Sequence, residues 1–122
     1  MSKILIVDDD QRNIFALTAT LKQKGFSCIN TMHAEEGLKI LERDNNIAAV
    51  LLDMMMPDLD GYEMISIIRK NERLKKLPVI AVTARAMPGD RERCIQSGAD
   101  EYIPKPIDVD IMLRLLNNYL KK

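Results

Sequence analysis

Short apolar runs alternate along this chain with longer stretches of helical period, and that alternation narrows the possible folds more than any other feature. Ile4–Val7, Ala48–Leu52 and Pro78–Val82 are apolar on both faces. That is the pattern of parallel strands covered by helices on both sides, so these three are expected at the centre of a sheet. Phe26–Asn30 and Glu101–Ile103 are more polar, and Pro104 has no N–H to give to a ladder, which places both runs nearer the sheet edges. Between the runs, Ile14, Leu17 and Leu21 keep the spacing of a first helix that Gly25 ends, and Leu38 and Leu41 mark a second. Met64, Ile65, Ile67 and Ile68 mark a third, and Ile111, Met112, Leu115 and Leu116 a fifth with Asp108 as its N-cap. All these faces are expected to bury against the sheet. The fourth helix, from about Gly89 to Ser97, has only Cys94 and Ile95 to pack and is expected to be weakly anchored. Five βα units in one domain over residues 1–122 give an α/β fold with a doubly wound parallel sheet.

Charge and composition exclude several kinds of function. The 122 residues, 47% hydrophobic and 30% charged, suit one ordinary domain. With 18 Lys+Arg against 18 Asp+Glu, no net charge draws the chain to nucleic acid or to an anionic membrane. The longest apolar runs fall far short of the roughly 20 residues that span a bilayer. Met1-Ser2-Lys3 leads directly into a strand-like run, without the apolar core of a signal peptide, so a cytoplasmic location is expected. Cys28 and Cys94 are too few and too far apart for a disulfide framework or a metal knuckle, and both are expected to be reduced.

Ligands of open α/β sheets bind at the carboxyl ends of the strands, so the residues closing each run carry the chemistry. Asp8, Asp9 and Asp10 follow the first run, Asp53 the third, Thr83 closes the fourth, and Lys105-Pro106 follows the fifth. Carboxylates gathered this way repel one another, which raises their pKa values or calls for a cation, and a set of hard oxygen donors suits Mg²⁺. An Asp beside Mg²⁺, with an ammonium and a hydroxyl opposite, has an oxygen nucleophile and donors for the equatorial oxygens of a transferring phosphoryl group. A site that forms an aspartyl phosphate is the reading. A single Asp after a strand is more often a helix cap, and Asp10 is read that way. Thr83 and Lys105 draw their meaning from Asp53. Met54, Met55 and Met56 read as adaptable packing, Tyr102 as a partly buried aromatic, and His33, the only histidine, as an exposed loop residue.

These residues resemble the receiver domain of bacterial two-component response regulators, of which the chemotaxis regulator is a single-domain example. The resemblance rests on Ile4-Leu5-Ile6-Val7-Asp8-Asp9-Asp10, Leu51-Leu52-Asp53-Met54-Met55-Met56-Pro57 with Asp60-Gly61, Val82-Thr83-Ala84, and Gly98-Ala99-Asp100-Glu101-Tyr102-Ile103-Pro104-Lys105-Pro106. It implies a flavodoxin-like (βα)5 fold with strand order 2-1-3-4-5 and helices on both faces. It also implies Asp53 as the phosphoacceptor, attacking a phosphohistidine on a histidine kinase or phosphotransfer protein. Mg²⁺ or Mn²⁺ would be held by Asp8, Asp9, Asp53 and the backbone carbonyl of Met55. Lys105 would pair with a phosphoryl oxygen and Thr83 would hydrogen-bond another. Tyr102 would then turn inward and remodel the face of the fourth helix, fifth strand and fifth helix, where a downstream protein target binds. The family's peptide bond at the position of Lys105-Pro106 is usually cis. Met55 and Arg85 vary in the family and flank the route of attacking water, which leaves the phosphoryl lifetime open. Met87–Cys94 and Lys105–Asp108 are most similar to receivers of hybrid histidine kinases, and both a stand-alone regulator and an excised receiver fit.

Other functions fit the residues less well. A phosphatase of the haloacid dehalogenase type also uses a strand-end Asp, Mg²⁺, Thr and Lys, but needs a second Asp where Met55 stands. A pseudo-receiver would have lost residues that are all present. A flavodoxin-like electron carrier needs a hydroxyl- and Gly-rich phosphate loop where this chain has three carboxylates. The expected role is a phospho-switch that catalyses only its own phosphorylation and dephosphorylation.

Overall fold

The computed structural model describes residues 3–56, 60–84 and 87–120. Pro57 and Arg85, singled out above, lie outside them. The chain runs β1 (Lys3–Val7), α1 (Gln11–Gln23), β2 (Ser27–Thr31), α2 (Ala34–Arg43), β3 (Ile47–Asp53), α3 (Gly61–Lys70), β4 (Val79–Thr83), α4 (Asp90–Gln96), β5 (Glu101–Pro104) and α5 (Val109–Leu120). The five strands form one parallel sheet in the order β2-β1-β3-β4-β5. The two more polar strands lie at its edges, as their composition requires: an edge strand needs fewer apolar neighbours and can carry a proline.

The period of two in the strands divides their side chains between two cores. Leu5, Val7, Val50, Leu52, Val79 and Ala81 face α2, α3 and α4, meeting Leu41, Met64, Ile65, Ile68 and Cys94. Ile4, Ile6, Ala49, Leu51, Ile80 and Ile103 face α1 and α5, meeting Ile14, Leu17, Leu21, Met112 and Leu116. With both faces covered, the central strands have no side open to water, which is why they read as unbroken apolar runs.

Helix ends follow the expected chemistry. The Asp10 side chain accepts from the N–H groups of Arg12 and Asn13. Asp60 caps α3 through the Glu63 N–H, and Asp108 accepts from the Ile111 N–H at the start of α5. Gly25 follows the Lys24 cap of α1. His33 is exposed at the start of α2.

Three side chains depart from the sequence reading. Ile67 and Ile111 are 45% and 43% exposed and do not bury against the sheet. Neighbouring helical residues point about 100° apart, so Ile68 and Met112 take the inward positions that Ile67 and Ile111 would have shared. Met55 is likewise exposed, while Met54 and Met56 are packed as expected.

Candidate functional site

Parallel strands end together, so the residues that close β1, β3, β4 and β5 meet at one edge of the sheet. Asp53 is the last residue of β3 and pairs in register with Val82; Thr83 closes β4 and pairs with Pro104. Backbone hydrogen bonds tie the loops that follow to the same edge: the Met54 N–H donates to the Val82 carbonyl and the Lys105 N–H to that of Thr83. Asp8, Asp53 and Thr83 are buried there, an unusual fate for polar groups that demands a function or a full set of partners.

The partners of Asp8 are nearly complete. One carboxylate oxygen accepts the Asp10 N–H at 2.9 Å, and the other accepts the Asn13 side-chain amide at 2.6 Å and lies 3.2 Å from the Lys105 ammonium. Asn13 was not singled out in the sequence. Its only signal is position, one turn into the helix whose cap follows Asp8, and that has meaning only once the loop geometry is known. Asp53 has fewer contacts: the Met55 N–H donates to Oδ1 at 3.0 Å, and Lys105 Nζ lies 3.5 Å from Oδ2. Burial pushes the Asp53 carboxyl above the ordinary aspartate range; the Met55 N–H draws it back, and Asp8 and Asp9 add to the rise. Burial opposes the Lys105 ammonium, yet the charges of Asp53 and Asp8 outweigh it and raise its pKa above the ordinary lysine value.

Asp8, Asp9 and Asp53 each bring a carboxylate oxygen within 4.8 Å of the others. Asp9 is exposed and gives this cluster an open side. Among the described residues, three carboxylates face one ammonium, which leaves an excess of negative charge, and an all-oxygen set with one open side fits a hard divalent cation. A cavity of about 490 Å³ adjoins the cluster, lined by Asp9, Met55, Asp60, Tyr62, Asp90 and Arg93 among others. Lys105 is half-buried, and its bond to Pro106 is cis. Tyr102, half-buried on β5, donates its hydroxyl hydrogen to Asp90 at 3.0 Å, outside the carboxylate cluster. The Asp10 side chain stays out of the cluster and caps α1, as read from the sequence, while its N–H donates to Asp8.

Fold and site together define a flavodoxin-like α/β protein with an acidic ligand pocket at the carboxyl edge of its sheet. The chain belongs to the response regulator receiver domain family, whose profile matches residues 4–117. It is 35% identical over 117 residues to the polar-differentiation response regulator DivK of Brucella ovis, a match covering 96% of this chain and 94% of that one. Among solved structures it is similar to the receiver domain of the sensor histidine kinase PA1611 from Pseudomonas aeruginosa PAO1, which has a magnesium ion coordinated in its active-site cleft. That match has 32% identity, a TM-score of 0.89, and 99% and 98% of the two chains covered. A response regulator from Chloroflexus aurantiacus matches with a TM-score of 0.92 at 26% identity, covering 99% and 98%. Receiver domains are switches of two-component signalling rather than conventional enzymes. Among the described residues, no helix is long and apolar enough to cross a membrane.

Proposed function

We propose that this chain, as a single receiver domain over residues 1–122, takes a phosphoryl group onto Asp53 from a phosphohistidine of a histidine kinase or phosphotransfer protein. The observation that carries this reading is the placement of Asp53: buried, at a strand end, 3.5 Å from Lys105 and within a cluster of two further carboxylates. An Asp53 carboxylate oxygen attacks phosphorus, the P–N bond to the imidazole breaks, and the leaving nitrogen keeps the electron pair and is protonated. Both oxygens of Asp53 have donors, so its nucleophilic lone pairs are oriented before the phosphoryl group arrives.

Asp8, Asp9, Asp53 and the Met55 carbonyl would hold Mg²⁺ or Mn²⁺, which when bound offsets the charge of the carboxylates and of the incoming phosphoryl oxygens. Asn13, the Asp10 N–H and Lys105 hold Asp8 in one orientation. Lys105, already shared between Asp8 and Asp53, pairs with a phosphoryl oxygen on transfer, and the Thr83 hydroxyl hydrogen-bonds another. Tyr102 then follows Thr83 inward and alters the α4-β5-α5 face that a downstream protein recognises. Output is protein binding in the cytoplasm, with no direct contact to nucleic acid or membrane.

Intact mass after incubation with Mg²⁺ and acetyl phosphate tests the reading. One added phosphoryl group is expected in the wild type, and none in Asp53→Asn or with chelator. Equal labelling of Asp53→Asn would remove Asp53 from the nucleophile role. If no adduct forms, beryllofluoride replaces acetyl phosphate, since rapid hydrolysis hides an adduct; no response to either rejects the phospho-switch in favour of a partner-binding pseudo-receiver.

A further inference from the structure

Helix α4 begins without a side-chain cap. Gly89 occupies the capping position at φ +85°, a conformation that glycine adopts without steric cost, and it supplies no side-chain oxygen to the first N–H groups. Cys94 is the one buried residue of the helix. Side-chain contacts to neighbouring elements make up for this, among them the Tyr62 hydroxyl of α3 at 3.7 Å from Cys94 Sγ. Arg93 places its guanidinium 4.5 Å from the centre of the Tyr62 ring on α3, and Asp90 accepts the Tyr102 hydroxyl of β5 at 3.0 Å.

The Asp90 contact ties the weakest helix to the residue that the phospho-switch reading moves. Tyr102 packs against the α2-α3-α4 core beside Ala81, its partner in register, and its hydroxyl ends on the first residue of α4. Asp90 also lines the cavity that adjoins the carboxylate cluster, together with Asp9 and Met55. We infer that Asp90 is a positioning residue for the switch. Its hydrogen bond from Tyr102 holds ring and helix in the unphosphorylated arrangement, and its strength sets how readily the phosphorylated arrangement is reached. The inference rests on the phospho-switch reading and deepens it. Tyr102 cannot leave for the Asp53 site without giving up this bond, and α4 loses one of its ties to β5 in the same event. A two-state element whose ground state loses one such bond shifts toward the other state by roughly fivefold to tenfold.

Beryllofluoride titration, followed by NMR of ¹³C-labelled tyrosine in the full chain with Mg²⁺, tests this. Asp90→Ala is expected to lower the midpoint roughly fivefold to tenfold, and Tyr102→Phe to do the same. The double variant should go no further than either single one, because both remove the same bond. Asp90→Asn keeps a carbonyl oxygen to accept the hydroxyl, so its midpoint stays near wild type; this separates loss of the acceptor from loss of charge in the first turn. Arg93→Ala loosens α4 through α3 and should change the midpoint by the same factor in the wild type and in the Tyr102→Phe variant. An Asp90→Ala midpoint equal to or above wild type overturns the latch while leaving the phospho-switch intact, as does full additivity in the double variant. A wild type with no Asp53-dependent response overturns both.

Discussion

Helices α3 and α4 lie on the same side of the sheet and follow neighbouring strands, yet they are held in different ways. Helix α3 is bolted down. Met64, Ile65 and Ile68 are fully buried, Asp60 caps its start, and Gly61 comes so close to Met54 that a Cβ there would lie 2.7 Å from the Met54 Cα. At its end Arg69 donates to the carbonyls of Gly98, Lys75 and Leu77 and pairs with Asp100. Helix α4 has one buried residue, a glycine cap and three polar side-chain contacts: Arg93 over the Tyr62 ring, Cys94 Sγ with the Tyr62 hydroxyl, and Asp90 with the Tyr102 hydroxyl. Apolar packing is lost steeply when an element shifts, whereas exchangeable hydrogen bonds let it settle in a second position. The helix that leads on from the Asp53 strand is therefore the rigid one, and the helix beyond Thr83 is the one able to shift.

The largest test of this contrast is truncation of the bolts. Ile65→Ala should cost roughly 2–5 kcal/mol in urea unfolding, from lost transfer energy and the cavity left behind. A cost near that of an α4 surface change would break the comparison. Next comes metal: at a hundredfold excess over Kd, Mg²⁺ should stabilise the wild type by about 2.7 kcal/mol and Asp53→Asn by much less. Chelation should reverse the gain. Hydrogen exchange should place the protection at the ends of β1 and β3, while α4 amides change little.

Arg69→Ala should cost about 1–3 kcal/mol, because it strips partners from part-buried carbonyls as well as the Asp100 pair. Arg93→Ala on α4 should cost under about 1 kcal/mol, since a partly exposed cation–π contact has no such penalty. Acid titration gives a smaller effect with a definite sign. The folded-state pKa of Asp53 is raised, so its contribution favours the fold below the unfolded carboxylate pKa and is lost as pH rises through the folded value. Metal-free Asp53→Asn should thus melt above wild type at neutral pH, and the gap should close as pH falls into the carboxylate range. Lys105 has the opposite effect at neutral pH: its raised pKa makes the ammonium stabilising until alkaline pH removes the proton.

Much of this was legible before the structure. Asp10 and Asp108 cap helices because a short carboxylate before a periodic apolar run has little else to do. The weak anchoring of α4 followed from Asp90, Arg91, Glu92 and Arg93 occupying positions where a packed helix carries apolar groups. The errors at Ile67 and Ile111 share one cause: composition marks a helix as apolar, but only its rotation about its own axis decides which of two adjacent apolar residues faces the sheet. Asn13 and Asp90 were missed because amide and carboxylate side chains are common in first turns. What marks them is a partner, Asp8 in one case and Tyr102 in the other, brought by a different element.

The order of apolar runs and of the carboxylates that close them was enough to determine a doubly wound sheet with Asp8, Asp9, Asp53, Thr83 and Lys105 at one edge. Parallel strands joined by crossovers have no other way to end. Tertiary structure alone decided the pairwise distances: Lys105 shared between Asp8 and Asp53, Asn13 turned onto Asp8, and the Tyr102 hydroxyl on Asp90. A hydrogen bond depends on tenths of an ångström and on direction. Those are set by how whole helices rotate and pack, and the local pattern of a chain does not contain them.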